Sequence, residues 1–191
     1  DARLSLFRTD VTNERVQDPI TLLISSAGSS VRQGIETDVR VDVGRGVVLS
    51  GRATYTDARL SGRYADAHDD HGDDETTDPP AEPESGGQRV PGIAKYMASF
   101  STSFPVVREV AGWVDWRVTG GYVPIGEPEA HTSAFSVVDF GLSVPVRDGL
   151  VAELEVRNVL DREYAEMRSS GYVNPGAPRS LGVGFHYRGA N

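Results

Sequence analysis

Residues that commonly bind metal ions are concentrated in one acidic stretch near the middle of the chain. Between Arg63 and Gln88, the candidate ligands are His68, Asp69, Asp70, His71, Asp73, Asp74 and Glu75. Carboxylate oxygens suit Ca²⁺, and imidazole nitrogens suit transition metals. The order of residues lacks the Asp-x-Asp-x-Asp-Gly spacing of a calcium loop. A run of like charges is typical of a solvated, disordered loop, so we expect no metal site here.

Residues suited to acid–base catalysis are sparser. Glu153 and Glu155 alternate along one strand-like segment, where their side chains would lie roughly 7 Å apart. Two carboxylates on one strand face are weak grounds for catalysis. The chain has no Gly-x-Ser-x-Gly elbow, no His-Glu-x-x-His motif and no glycine-rich phosphate loop. The sequence therefore predicts a protein that is not an enzyme and needs no cofactor.

Composition narrows the possible partners. The chain has 191 residues, no cysteine and a formal net charge of -9, which argues against a nucleic-acid partner. No run approaches the roughly 18 consecutive apolar residues of a transmembrane helix. A membrane β-barrel stays possible, because its strands are short and only half apolar. No signal peptide is recognisable, and Asp1 opens directly into strand-like sequence, so we expect a fragment of a longer protein.

Apolar and polar residues alternate with a period of two along most of the chain. This period indicates β-strands with one apolar and one polar face. The opening segment, residues 4–11, is strand-like, but the phase of its alternation is unclear. The remaining alternating segments are residues 35–43, 49–56, 96–104, 114–122, 138–144, 150–157 and 181–188. We therefore predict eight strands and essentially no helix.

The connections between these strands alternate in length. Short turns rich in Gly, Pro and Asp are expected at residues 43–46, 104–109 and 146–149. The long connections are residues 10–34, 57–90, 123–133 and 158–179. Short and long links in strict succession are typical of an up-and-down membrane barrel with long external loops.

Alternation alone does not decide which face of the sheet meets water. A lipocalin-like barrel points its apolar side chains inward around a ligand, whereas a membrane barrel points them to lipid. The polar face carries both signs of charge, as in Asp115 with Arg117, which suits a hydrated lumen. Predicted strand lengths of about nine to eleven residues suit a tilted strand that crosses a bilayer. Aromatic residues also lie near strand ends, as in an interfacial girdle: Tyr55, Tyr96, Phe104, Tyr122 and Tyr187.

Two segments near the end of the chain resemble the C-terminal end of TonB-dependent outer-membrane receptors. The first runs from Leu150 to Tyr164 and closes with Asn158-Val-Leu-Asp-Arg-Glu-Tyr164. The second runs from Pro175 to Arg188 and opens with Pro175-Gly-Ala-Pro-Arg179. The resemblance continues upstream, in the order of the family, over residues 4–13, 31–36, 49–58 and 89–95. It therefore extends over nearly the whole chain.

The resemblance implies an all-β, antiparallel up-and-down transmembrane barrel of 22 strands, closed inside by an N-terminal plug domain. Residues 1–191 would then be a C-terminal segment of that barrel, with about eight strands and without the plug. Residues 57–91 would be a long acidic external loop. One departure is that Gly189-Ala-Asn191 follows the last strand, where the family usually ends in an aromatic residue.

The resemblance also implies a function in the bacterial outer membrane. The whole protein would import a scarce ligand, most often a ferric siderophore, and would be driven by the TonB complex through its missing N-terminal part. Its other partner would be outer-membrane lipid. Two alternatives stay open from the residues alone. One is a complete eight-stranded outer-membrane barrel with a structural or adhesive role, and the other is a soluble ligand-binding β-barrel.

Several residues gain a possible role if the chain lines such a barrel. Tyr164, Tyr172 and His131 would lie in external loops, where they could contact an arriving ligand or be ordinary loop residues. His186 would be a polar residue that faces the lumen. The charged residues of the lumen wall would pair with one another or line a ligand path: Asp115, Arg117, Glu153, Glu155 and Arg157.

Overall fold

The protein forms an antiparallel β-sheet. The structure, a computed structural model, describes residues 1–17, 22, 24–60 and 87–187. Eight of its strands form one sheet, and β8 and β9 form a separate hairpin. The strands are β1 (Ala2–Gln17), β2 (Ile24–Gly44), β3 (Val47–Leu60), β4 (Tyr96–Val107), β5 (Val110–Thr119), β6 (Phe135–Arg147), β7 (Leu150–Arg157), β8 (Ala165–Ser169), β9 (Tyr172–Pro175) and β10 (Ser180–Tyr187). The predicted all-β fold with eight antiparallel strands in the main sheet is confirmed.

The large sheet has the up-and-down topology that the connection lengths predicted. Its strands lie in the order β1-β2-β3-β4-β5-β6-β7-β10, so chain neighbours are sheet neighbours except across the β8–β9 hairpin. Within the described residues, β1 and β10 are the two edges and do not pair with each other. The eight strands therefore form an open sheet rather than a closed barrel. None of the described residues forms a helix long and apolar enough to cross a membrane.

The tight turns all lie at one end of the sheet. Two residues join β2 to β3, β4 to β5 and β6 to β7. Arg45 and Gly46 have φ of 56° and 77°, and Gly149 has φ of 73°. Positive φ is what two-residue hairpin turns require, because it matches the right-handed twist of the strands. β4 continues past Phe104 to Val107, so the turn there is shorter than the predicted residues 104–109.

β1 and β2 are longer than a bilayer requires. They contain 16 and 21 residues, against the predicted nine to eleven. Beyond the apolar part of β1, the same face becomes polar, because Leu4 and Leu6 are followed at alternate positions by Arg8 and Asp10. Arg8 bonds to Asp10 and to Gln33 of the next strand. This change of polarity along one face explains why the alternation of residues 4–11 had no clear phase.

Strand register gives the large sheet two opposite faces of different polarity. Directly paired residues lie on the same face of an antiparallel sheet. A register row on one side, here called the apolar face, runs through Val41, Leu49, Thr102, Val114, Phe140, Val156 and Leu181. A row on the other side, the polar face, runs through Arg40, Ser50, Ser101, Asp115 and Asp139.

A small buried core lies at the long-loop end of the sheet. Ala58 and Leu60 of β3 pack with Val90, all at 2–3% exposure, and half-buried Ile93 joins them. Residues 87–95, here called the returning segment, bring Val90 and Ile93 back over the end of β3. The N–H of Val90 donates to the carbonyl of Ala58 at 3.1 Å, which fixes this approach. Residues 61–86, with the acidic stretch, and the Gly189-Ala-Asn191 tail lie outside the described residues.

Candidate functional site

The polar face presents ion pairs that cross neighbouring strands. Arg52 of β3 pairs with Asp38 of β2 at 2.7 Å, and Arg117 of β5 pairs with Asp139 of β6 at 3.4 Å. Asp115 accepts a hydrogen bond from the hydroxyl of Ser101. Arg117, which is 56% exposed, therefore forms its ion pair with Asp139 of the next strand rather than with Asp115 of its own strand.

The charged residues expected on β7 and β10 are also paired. Arg157 contacts Glu155 at 3.0 Å, and the imidazole of His186 lies 3.1 Å from Glu153. Pairing of these charged residues with one another, within β7 for Arg157 and Glu155 and between β10 and β7 for His186 and Glu153, agrees with the expectation from the sequence. Each pair is well exposed to solvent, so its contribution to stability is at most about 1 kcal/mol. These groups shape the electrostatics of the polar face more than they hold the sheet together.

A polar groove runs along the polar face of β2, β3 and β4. It is lined by three serines and three charged residues: Ser50, Ser99, Ser101, Asp38, Arg40 and Arg52. The groove exists because short hydroxyl side chains stand between long guanidinium side chains. Hydroxyl and guanidinium groups are hydrogen-bond donors to anions and to carbonyl oxygens. The arrangement is therefore suited to a polar partner.

Asn158 organises the base of the connection between β7 and β10. Its side chain is 2% exposed and donates to the carbonyls of Arg162 and Ala177 at 2.9 and 3.0 Å. Its Oδ1 accepts from the N–H of Arg162 at 2.8 Å, and its own N–H donates to Asp139 at 2.7 Å. Asn158 has φ of 49°, a conformation that asparagine adopts more easily than most residues. The residues that carried the family resemblance thus have a structural role, and the hydrogen bonds of Asn158 with Asp139, Arg162 and Ala177 are here called the Asn158 clasp.

Asp161 and Arg179 close the same clasp from the other side. The carboxylate of Asp161 accepts from the backbone N–H of Arg179 at 3.1 Å and pairs with its guanidinium at 3.3 Å. This contact joins the Asn158 motif to the Pro175 motif, which are separated in sequence by the β8–β9 hairpin. The spacing of the two motifs therefore reflects the two ends of one loop.

Tyr164 is packed rather than free in the loop. Its ring stacks on Phe135 of β6, with ring centroids 4.5 Å apart. Gly176 also lies against the Tyr164 ring, so closely that a Cβ atom at position 176 would overlap the ring carbons next to the hydroxyl. Burial raises the pKa of the Tyr164 phenol, and the charge of Glu166 acts in the same direction. Tyr164 is thus a structural residue, whereas Tyr172 and His131 are exposed.

The β8–β9 hairpin was not predicted from the sequence. A two-residue turn joins its short strands, and both turn residues, Ser170 and Gly171, have positive φ. The Ser-Gly dipeptide was the available signal, because it favours turns. Residues 165–175 have little alternation of apolar and polar residues, so this pattern did not predict the two strands.

The hairpin is bound to the loop that follows β5, residues 120–134. Glu127 of that loop contacts the guanidinium of Arg168 at 2.5 Å and accepts from the N–H of Gly171 at 2.8 Å. The hydrogen bond from Arg168 and then that from Gly171 hold the pKa of Glu127 below its ordinary value. The buried hydroxyl of Tyr122 accepts from the N–H of Arg168 at 2.7 Å. Neither Glu127 nor Arg168 was predicted from the sequence.

The prediction that the acidic stretch holds no metal site concerns residues that the structure does not describe. The candidate ligands between His68 and Glu75 lie outside the described residues. In the part of the chain that is described, no group of three or more His, Asp or Glu residues is arranged to hold a metal ion. The absence of a metal site in the acidic stretch therefore stays a prediction.

Comparison with known proteins identifies the sheet. The protein-family model described as TonB dependent receptor-like, beta-barrel matches residues 1–159. No curated protein matches the sequence significantly. The match covers most of the chain, including all strands from β1 to β7.

Solved structures share the fold at low sequence identity. The siderophore receptor PiuA from Acinetobacter baumannii matches with a TM-score of 0.77 and 17% identity, over 97% of this chain and 26% of PiuA. The closed form of the ferric-catecholate import receptor Fiu from E. coli K12 matches with a TM-score of 0.70 and 21% identity, over 97% of this chain and 25% of Fiu. The copper transporter OprC matches with a TM-score of 0.71 and 12% identity, over 97% of this chain and 27% of OprC. The chain thus spans about a quarter of the length of each of these proteins.

Proposed function

The chain belongs to the TonB-dependent receptor β-barrel family, and from that premise we propose that it forms part of the barrel wall of an outer-membrane receptor. That receptor would import a scarce ligand, a ferric siderophore above all, with energy delivered through the TonB complex. The family is one of transport receptors, which are not enzymes, and its members reside in the outer membrane of Gram-negative bacteria.

The observation that carries the proposal is the two-faced sheet. Leu181, Val183 and Phe185 of β10 are 60–77% exposed, and exposed apolar side chains lie on the same face of other strands, among them Leu6, Val41 and Leu154. Water would penalise such a surface, whereas lipid hydrocarbon would not. The opposite face carries arginines, carboxylates and serines, which suit a hydrated lumen. Together with the family match, this division of polarity supports a membrane-spanning barrel wall over a soluble ligand-binding barrel.

The open sheet argues against the other alternative, a complete eight-stranded outer-membrane barrel. A complete eight-stranded barrel would need β1 to pair with β10, and these strands are the two unpaired edges in the described part of the chain. Exposed edges of long strands invite pairing with further strands. The eight strands are therefore best accounted for as one section of a wider barrel wall.

The neighbours support an iron-chelate ligand without identifying which one. PiuA and Fiu are named for siderophore and ferric-catecholate import, whereas OprC is named for copper transport. In the proposed mechanism, the external loops bind the ligand first and the polar face lines its path. A plug domain, which the family resemblance implies, would seal the lumen until TonB supplies the work of release.

Uptake in the natural host tests this proposal. The gene is deleted, and uptake of radioactive iron is measured with ferric complexes of one catecholate and one hydroxamate siderophore, alongside uptake of Cu²⁺. We expect the deletion to abolish uptake of one ferric complex, and loss of TonB to have the same effect. Uptake that survives loss of TonB would refute the energy coupling. A defect confined to Cu²⁺ would refute the siderophore assignment.

A further inference from the structure

We propose that residues 120–134 and the β8–β9 hairpin form one rigid platform at the external end of the barrel, with Glu127 as its positioning residue. The role as a ligand platform rests on the proposed function, because it assumes that these loops meet an arriving ligand. The structural part of the proposal, that two loops from different strand pairs form one body, stands on its own contacts.

Backbone contacts join the two loops first. Ile125 and Ser169 form a parallel β-bridge, and the N–H of Ser170 donates to the carbonyl of Ile125 at 2.8 Å. The hydroxyl of Tyr122 accepts from the N–H of Arg168. Ser169 is 1% exposed and Tyr122 is 9% exposed, so water competes little for these bonds. Hydrogen bonds of this kind are costly to break, because the separated groups are left buried and unpaired.

Glu127 adds a charge-assisted clasp at the tip of the hairpin. One carboxylate oxygen contacts the Arg168 guanidinium, and the other accepts from the N–H of Gly171. A single side chain of one loop thus contacts the other loop at two points, Arg168 in β8 and Gly171 in the turn to β9. Glu127 is 19% exposed and Arg168 is 40% exposed, so the pair remains accessible to solvent and the hydrogen bond to Gly171 adds to it.

Each loop is also anchored at its own base. The hairpin is held by the Asn158 clasp described above. The loop of residues 120–134 is held by the returning segment, since the N–H of Gly92 donates to the carbonyl of Val123 at 2.8 Å. Because each loop is held at its base and the two are joined near the tip of the hairpin, neither loop can move far relative to the other. Tyr172, which is 50% exposed on the hairpin, is presented from a fixed support.

Preorganisation of this kind matters for capture of a ligand. Binding to mobile loops carries the entropic cost of ordering them, and a platform that is already ordered avoids that cost. Glu127 would act through the platform rather than by touching the ligand. Its removal should therefore loosen both loops together, which loss of a purely local contact would not do.

Hydrogen exchange of the full natural polypeptide in detergent tests the platform without any ligand. The variant is Glu127→Ala, and the matched control is Glu129→Ala, an exposed glutamate of the same loop. We expect Glu127→Ala to speed exchange by about tenfold in both 120–134 and 165–175, and Glu129→Ala to change neither. Glu127→Gln should give an intermediate effect, because an amide still accepts from Gly171 but no longer pairs with Arg168. Loosening of one loop alone, or of neither, would overturn the proposal.

Cysteine trapping gives a second measurement, which does not depend on removing a contact. These 191 residues contain no cysteine, so Ile125→Cys with Ser169→Cys introduces the only thiols in this part of the receptor. Residues joined by a β-bridge are close enough for a disulfide. We expect near-complete disulfide formation in cells, and none in either single variant. A pair that stays reduced would show that the loops separate, and it would refute the platform even if uptake by the wild-type receptor confirms the proposed function.

Discussion

The carboxylate of Asp139 accepts a hydrogen bond from the backbone N–H of Asn158, with 2.7 Å between Oδ1 and the nitrogen. Asp139 lies on the polar face of β6, whereas Asn158 opens the connection between β7 and β10. The same carboxylate pairs with Arg117. One side chain therefore links the lumen wall to the base of an external loop.

The two bonds of Asp139 should differ in energy. Asp139→Ala leaves the N–H of Asn158 without its acceptor in a buried position, which costs about 1–3 kcal/mol. Arg117→Ala removes an ion pair whose arginine is 56% exposed, which costs at most about 1 kcal/mol. Asp139→Asn keeps an acceptor oxygen, so its loss of unfolding free energy should lie between the losses for Asp139→Ala and Arg117→Ala. Denaturant unfolding of the receptor in lipid vesicles measures all three, and equal losses for Asp139→Ala and Arg117→Ala would contradict the assignment.

Gly176 is expected to tolerate no side chain while Tyr164 is present. A Cβ atom there overlaps the Tyr164 ring, so Gly176→Ala should cost about 1–3 kcal/mol through overpacking. In a Tyr164→Ala background the obstacle is gone, and the same change should be nearly neutral. A double-mutant cycle on the unfolding free energy measures this coupling. Additive effects of the two changes would show that the ring is not what excludes the methyl group.

Arginine should be tolerated on one face of β4 and not on the other. Thr102 lies on the apolar face and its neighbour Ser101 on the polar face. Thr102→Arg places a charge toward lipid, which costs about 2–4 kcal/mol near the middle of a bilayer. Ser101→Arg loses one hydrogen bond but faces Asp115. The yield of folded, heat-modifiable barrel in the outer membrane compares them. A greater loss for Ser101→Arg would reverse the assignment of the two faces.

The clasp of Glu127 should respond to acid. Its pKa is lowered by the hydrogen bonds from Arg168 and Gly171, so protonation is harder in the folded loop than in the unfolded chain. Its stabilising effect is complete above the ordinary value of 4.5 and is lost as the pH falls through the lower folded pKa. We expect the protection factors of residues 120–134 and 165–175, which are corrected for the intrinsic pH dependence of amide exchange, to stay constant from pH 7 to about 5. A loss of protection between pH 7 and 6 would point to another titrating group, and Glu127→Gln should abolish any step that belongs to Glu127.

The sequence alone determined the eight strands of the large sheet and, for all of them except β1, their two faces. Side chains alternate across a strand, so alternation such as that of Val114 with Asp115 was sufficient to assign the faces of those seven strands. Asp148-Gly149 and Gly44-Arg-Gly46 were sufficient to locate two of the tight turns, because glycine supplies the positive φ of a hairpin. Residues 150–188 also carried the family resemblance, and the family itself is confirmed by a family model that matches residues 1–159.

Only the tertiary structure decided which side chains meet. Asp115 and Arg117 are two residues apart on one strand, yet Arg117 pairs with Asp139, because the register of β5 with β6 brings that carboxylate within reach. Periodicity fixes the face of a residue but not its partner on the next strand. Glu127 and Arg168, separated by 41 residues, meet because two loops with no regular pattern return to the same end of the sheet. Their contact depends on the path of each loop in space, and no local spacing in the sequence encodes that path.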